Sequence, residues 1–122
     1  MGSGVASVCV VGCDGGDAGE AAASQAMVRP LSGVLHTAGL LADRLVQGMA
    51  ARHVALVLPP KAAGAAYLHA VASHAPLAAM VLFSSVAAAF GNVGQANYAA
   101  ANAYLDSLAQ WRRAYGVAAN SL

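Results

Sequence analysis

Tyr98 and Asn102 stand four residues apart in a stretch that reads as helix, so their side chains share one face with Ala101 and Leu105. Ser85 closes an apolar run that reads as a strand, at the end where a parallel sheet presents its ligand-binding edge. Lys61 is the single lysine of the chain and begins an alanine-rich helical stretch. A phenol, a hydroxyl and an ammonium can together pass a proton to a substrate oxygen. With a pKa of about 10 a phenol is a poor acid at neutral pH, and a neighbouring ammonium lowers that value. Each residue also has a plain structural reading. The tyrosine can pack in a core, the serine pair can cap a turn, and the lysine can snorkel to water.

The elements that must position these residues alternate between strand and helix. Residues 5–11 form a β-branched run ended by Gly12, and residues 33–36 and 78–84 are further short strands. Between them, residues 20–28 read as helix closed by Pro30, and residues 42–52 as a second helix. Pro59 and Pro60 suit the first turn of a third, over residues 61–74. A long helix over residues 95–115 stops at Gly116, and residues 117–122 begin another strand. This order predicts a parallel sheet with helices on its faces.

Composition narrows the function classes. The 122 residues are 59% hydrophobic and 9% charged, with a net charge of +1, and about a quarter are alanine. Six Lys and Arg residues give no clustered basic footprint for nucleic acid, nor a basic amphipathic stretch for a membrane surface. The most apolar window, residues 78–90, is broken by Ser84 and Ser85 and is shorter than the ~20 residues of a spanning helix. The first residues lack the basic start of a secretory signal. Cys9 and Cys13 make no metal pattern, and residues four apart on a strand cannot bridge, so reduced thiols in a cytoplasmic protein are expected.

Taken together, VLFSSVAAAFGNVGQANYAAANAYLD at 81–106 resembles the ketoreductase domain of modular polyketide synthases, a branch of the short-chain dehydrogenase/reductase superfamily. LSGVLHTAG at 31–39, PPKAAGAAYLH at 59–69, WRRAYGVAANSL at 111–122 and the Cys13-Asp14 pair fit it in the same order. Tyr98 keeps the family's spacing to a serine 13 residues before it and a lysine 37 before it. The resemblance implies an α/β, Rossmann-like, doubly wound parallel sheet and NADPH as hydride donor. It also implies a β-ketoacyl substrate on the phosphopantetheine arm of an acyl carrier protein, with other synthase domains in cis, in polyketide or fatty-acid synthesis. In that frame Tyr98 is the general acid, Ser85 holds the carbonyl oxygen and Lys61 supports the phenol. Asn102 occupies the place where most of the superfamily has its lysine. Asp14 corresponds to an acidic residue at the adenine, and His36, Ala38 and Gly39 to the segment lining the cofactor. Asp14 between glycines is also an ordinary turn residue. No metal is implied.

For stereocontrol, the resemblance places Leu41-Ala42-Asp43 where one product class has Leu-Asp-Asp. Asn97 is in place, Val93 replaces an expected proline, and the tryptophan of the other class is absent, so the Asp43 type is expected. The family's glycine-rich phosphate loop and its first two strands have no counterpart, so residues 1–122 are expected to be a partial domain, inactive in isolation. A non-catalytic scaffold piece of a synthase is the alternative. A serine hydrolase built on Ser84 or Ser85 fails for want of G-x-S-x-G. His53, His69 and His74 read as surface or internally satisfied side chains.

Overall fold

The computed structural model describes residues 8–28, 30–73 and 75–122. Helix α1 spans Ala18–Ala26, strand β1 Gly33–His36, helices α2 and α3 Ala51–Leu58 and Gly64–Ala72, and strand β2 Ala79–Leu82. A short α4 at Ala87–Phe90, the long α5 at Ala96–Ala114 and strand β3 at Asn120–Ser121 complete it. The strands are all parallel in the order β1-β2-β3, with Gly33 opposite Ala79 and Val81 opposite Asn120. This is the parallel sheet with helices that the alternation predicts, and the Rossmann-like arrangement that the resemblance implies, carried by three strands among the described residues.

Partners in parallel register point to the same face, and Val34, His36, Met80 and Leu82 all point inward and are buried. Against them lie Ala65 from α3 and Leu105, Leu108 and Ala109 from α5, with Ala119 at the entry to β3. Burying Met80 and Leu82 contributes roughly 1.5–3 kcal/mol each. Side chains of the opposite face remain open, Leu35 at 70% and Phe83 at 40% exposure.

Three sequence expectations are corrected. Of the expected strand at 5–11, residues 5–7 lie outside the described residues, and Val8, Val10 and Val11 are exposed coil. A strand needs a partner ladder, and none of the described strands offers this segment one. The expected helix over 42–52 is instead a 3-10 turn at Val46–Gly48, with α2 starting at Ala51. Nor does a new helix begin at the proline pair. Helix runs without a break over Ala51–Ala72, and Pro59–Ala63 form one π turn inside it. Proline removes an N–H and crowds the carbonyl one turn back; the wider π turn accommodates both. His74, expected in that helix, lies outside the described residues. At 22 residues the continuous helix is long and apolar enough to cross a bilayer, yet it packs on α1 and α5 and buries Lys61.

Candidate active site

The π turn is where the site begins. Lys61 sits in its middle, buried at 3% exposure, and its Nζ donates to the Phe83 carbonyl at 2.6 Å. The same ammonium lies 5.5 Å from the centre of the Tyr98 ring. Burial pushes the Lys61 ammonium below its usual 10.5. Behind it, His36 Nε2 donates to the Lys61 carbonyl at 2.8 Å. The carbonyl can only accept, so the ring nitrogen facing it carries the proton. Burial lowers the His36 pKa, the Lys61 charge lowers it further, and the bond to the Lys61 backbone opposes them.

Two glycines let another strand of backbone pass over this turn. A Cβ on Gly64 would lie 3.0 Å from the Gly15 carbonyl oxygen, and one on Gly16 would lie 3.0 Å from Pro59. The turn at Asp14–Asp17 is thereby seated on the π turn. Its Asp14 is exposed; Oδ1 accepts the Gly16 N–H at 2.8 Å, the geometry of a turn-forming aspartate. Asp17 caps α1 by accepting the Glu20 N–H at 2.9 Å.

The first turns of α5 carry the other half of the site. Tyr98 is half-buried, and Asn102, fully buried one turn on, donates Nδ2 to the Tyr98 carbonyl at 2.8 Å. The Asn102 Oδ1 is buried without a partner. Ser84 Oγ donates to the Asn102 carbonyl at 3.3 Å, fastening the end of β2 to α5. Ser85 Oγ accepts the Ala87 N–H at 3.2 Å and opens α4.

Asn97 is buried at 3% exposure and gives Nδ2 to the carbonyls of Ala42 and His53, at 3.1 and 3.0 Å. Asp43 is exposed, and its carboxylate accepts Gln95 Nε2 at 3.0 Å, while Arg44 N–H donates to the Gly94 carbonyl at 2.7 Å. Together these bonds fasten the loop after β1 to the start of α5. His53 is satisfied locally, its Nδ1 accepting the Ala50 N–H at 2.9 Å.

The structure therefore brings Lys61, Tyr98 and Asn102 into one cluster below the carboxyl ends of β1 and β2, with Ser84 bound to it and Ser85 on the adjoining turn. Ala38 and Gly39 follow β1, and Gly39 lies beside Lys61: a Cβ on it would stand 3.2 Å from Lys61 Cε. Asp43 and Asn97 flank the start of α5, and His36 faces the helix side of the sheet. Sequence reasoning missed the Phe83 carbonyl, the acceptor that holds the ammonium; a backbone group leaves no mark on residue type. Cys9 and Cys13 are free and exposed, and among the described residues no cluster of metal ligands forms.

The family model for the KR domain matches residues 3–122. The spectinabilin polyketide synthase system protein NorB of Streptomyces orinoci is 47% identical over 122 residues, covering 98% of this chain and 6% of that protein. Polyketide synthase GfsB of Streptomyces halstedii is 54% identical over 93 residues, 76% of this chain and 2% of that protein. Among solved structures, the first ketoreductase of the tylosin PKS superposes with a TM-score of 0.84 at 42% identity, over 89% of this chain and 24% of that one. A structure of A-type ketoreductases from a modular polyketide synthase gives a TM-score of 0.85 at 41% identity with the same coverage. The chain thus spans about a quarter of those structures and a few per cent of the synthases.

Proposed function

The chain belongs to the KR domain family, the ketoreductase domains of polyketide synthases, and from that premise we propose a specific reaction for its residues. They serve the NADPH-dependent reduction of a β-ketoacyl thioester, carried on an acyl carrier protein, to the β-hydroxyacyl thioester. The observation that carries this reading is the buried Lys61 ammonium, 5.5 Å from the Tyr98 ring centre and held by the Phe83 carbonyl. A lone buried cation is costly, and here it lies over the tyrosine ring and, among the described residues, meets no carboxylate.

The donor set fits the reacting end of a nicotinamide cofactor. Lys61 keeps N–H groups beyond the one given to Phe83, Gly39 lies alongside it, and Ala38 precedes Gly39 on the same segment. These three would hold that end, with Asp14 at the adenine end. The cofactor, when bound, supplies the hydride to the carbonyl carbon. Tyr98 gives its phenolic proton to the oxygen as negative charge develops there, and the Lys61 ammonium stabilises the phenolate left behind. Ser85 orients the carbonyl by donating its O–H, which the bond its oxygen accepts from the Ala87 N–H leaves free. Asn102 holds the helical turn that carries Tyr98. On the substrate side, Asn97 and Asp43 set the distance between the β1 loop and α5.

Replacing Tyr98 by Phe in the complete polypeptide that carries these residues tests the reading. Turnover of a β-ketoacyl thioester should fall by roughly 10²–10⁴, the contribution of a general acid, while NADPH binding stays within about twofold. Wild-type turnover in Tyr98→Phe would remove the phenol from the mechanism and the reading with it.

A further inference from the structure

The resemblance assigns His36 to the cofactor lining; its ring is buried against the backbone of Lys61 and Gly64, and the bonds around it close a circuit. His36 Nε2 donates to the Lys61 carbonyl at 2.8 Å, Lys61 Nζ donates to the Phe83 carbonyl at 2.6 Å, and Phe83 N–H donates to the His36 carbonyl at 3.0 Å. One residue of β1 thus fixes both ends of the lysine's reach: the backbone from which it starts and the acceptor at which it arrives. From this we infer that His36 is a positioning residue for Lys61, and through it for Tyr98; the inference rests on the reading of Lys61 and Tyr98 given above.

The need for such a residue follows from the proline pair. In a regular helix each carbonyl has its own N–H one turn on. Within the π turn the Gly64 N–H is shared between the Pro59 and Lys61 carbonyls. The Gly64 N–H that reaches the Lys61 carbonyl is thus divided between two acceptors, and the imidazole adds an undivided bond of its own. A side chain that starts from a loosened turn can wander; a bond at its root and the Phe83 carbonyl at its tip remove that freedom. Gly39, three residues beyond His36, lies against the lysine stem between them, within 3.2 Å of Cε by its absent Cβ. A neutral imidazole suits this post, since a second positive charge beside the ammonium would work against it.

The test measures kcat and KM separately in the complete polypeptide for His36→Leu, which fills the space without a donor, and for His36→Gln, whose amide reaches as far as Nε2. Loss of positioning predicts a kcat roughly ten- to a hundredfold lower in His36→Leu, with KM for the thioester within about twofold. His36→Gln should recover most of that loss. If His36→Leu fails to fold, His36→Asn takes its place: it is polar, but its amide stops short of the Lys61 carbonyl, and its kcat should fall while His36→Gln stays near wild type. Wild-type kcat in folded His36→Leu or His36→Asn overturns the inference, as does an equal loss in His36→Gln. These outcomes separate from failure of the underlying reading. That reading fails on Tyr98→Phe, whatever His36 does.

Discussion

Near its amino end α5 sets Tyr98 beneath the Lys61 ammonium; near its carboxyl end it buries its own Arg112 against His69. Among the described residues neither cation meets a carboxylate. Arg112 is fully buried, gives Nη1 to His69 Nδ1 at 2.6 Å and Nε to the Ala118 carbonyl at 3.3 Å, and leaves Nη2 without a partner. Its neighbour Arg113 donates to the Ala119 carbonyl at 3.0 Å, so the two arginines together hold the segment leading into β3. His69 is stacked edge-on to Trp111, which in turn leans on Tyr115. At this end the cation is a brace, its bonds spent on chain that must be placed. At the other end a compact ammonium keeps donors in reserve and faces an aromatic hydroxyl-bearing ring. Both cations are buried; they differ in that Arg112 is bonded to a side chain and a carbonyl, and Lys61 to a single carbonyl beside a tyrosine ring.

The largest effect should come from removing the reserve. Lys61→Met keeps the stem and its packing and deletes the ammonium. Turnover of a β-ketoacyl thioester should drop by roughly 10²–10⁴ while the melting transition moves little. Near-wild-type turnover would make both ends of α5 braces. The opposite pattern is expected of Arg112→Met. The Ala118 carbonyl and His69 Nδ1 lose a charged donor, which costs about 1.5–3 kcal/mol, partly offset because an unpaired Nη2 is no longer buried. A net loss of about 1–2 kcal/mol in a denaturant titration, with turnover per folded molecule unchanged, is the expected result. A loss of turnover without a loss of stability would place Arg112 in the reaction.

The residues gathered at the amino end were named from the sequence, and the brace at the carboxyl end was not. Tyr98, Asn102, Ser85 and Lys61 stood out because their spacings match a family pattern, and Gly33–His36, Ala79–Leu82 and α5 were bounded by glycine, proline and apolar runs. Arg112 and Arg113 look like ordinary cations at a helix end, where they complement the helix dipole. Yet the signal was there: Ala101, Leu105, Leu108 and Arg112 recur at helical spacing, which puts Arg112 on the apolar face. His36 carries a similar signal, alternating with Val34 on the buried side of β1. The proline pair misled because local rules read it as a helix start, whereas the surrounding packing holds an expanded turn in place. Residues 8–11 misled for the opposite reason: a strand's existence is decided by a partner elsewhere, which no local run of valines encodes.

Acid should divide the two ends more finely. Burial lowers the pKa of His36 and His69 alike, with the Lys61 charge adding to the first and the Arg112 charge to the second. Above the ordinary value of 6.5 both imidazoles are neutral whether the chain is folded or not, and stability owes nothing to their titration. Below 6.5 the unfolded chain takes up protons first, so stability falls as pH falls, until the lowered folded values are passed. Protonating His69 would also remove the acceptor that Arg112 uses, and protonating His36 would set a second charge against Lys61. Melting temperatures of the complete polypeptide between pH 7.5 and pH 5 should therefore decline, and His36→Gln and His69→Gln should each flatten part of that decline. Among these two, His36→Gln should hold turnover near wild type because its amide replaces the bond to Lys61. His69→Gln should hold it because the carboxyl end of α5 lies outside the chemistry. A decline of unchanged slope in both variants would remove the two buried imidazoles from the acid sensitivity, and with them this distinction between the ends of α5.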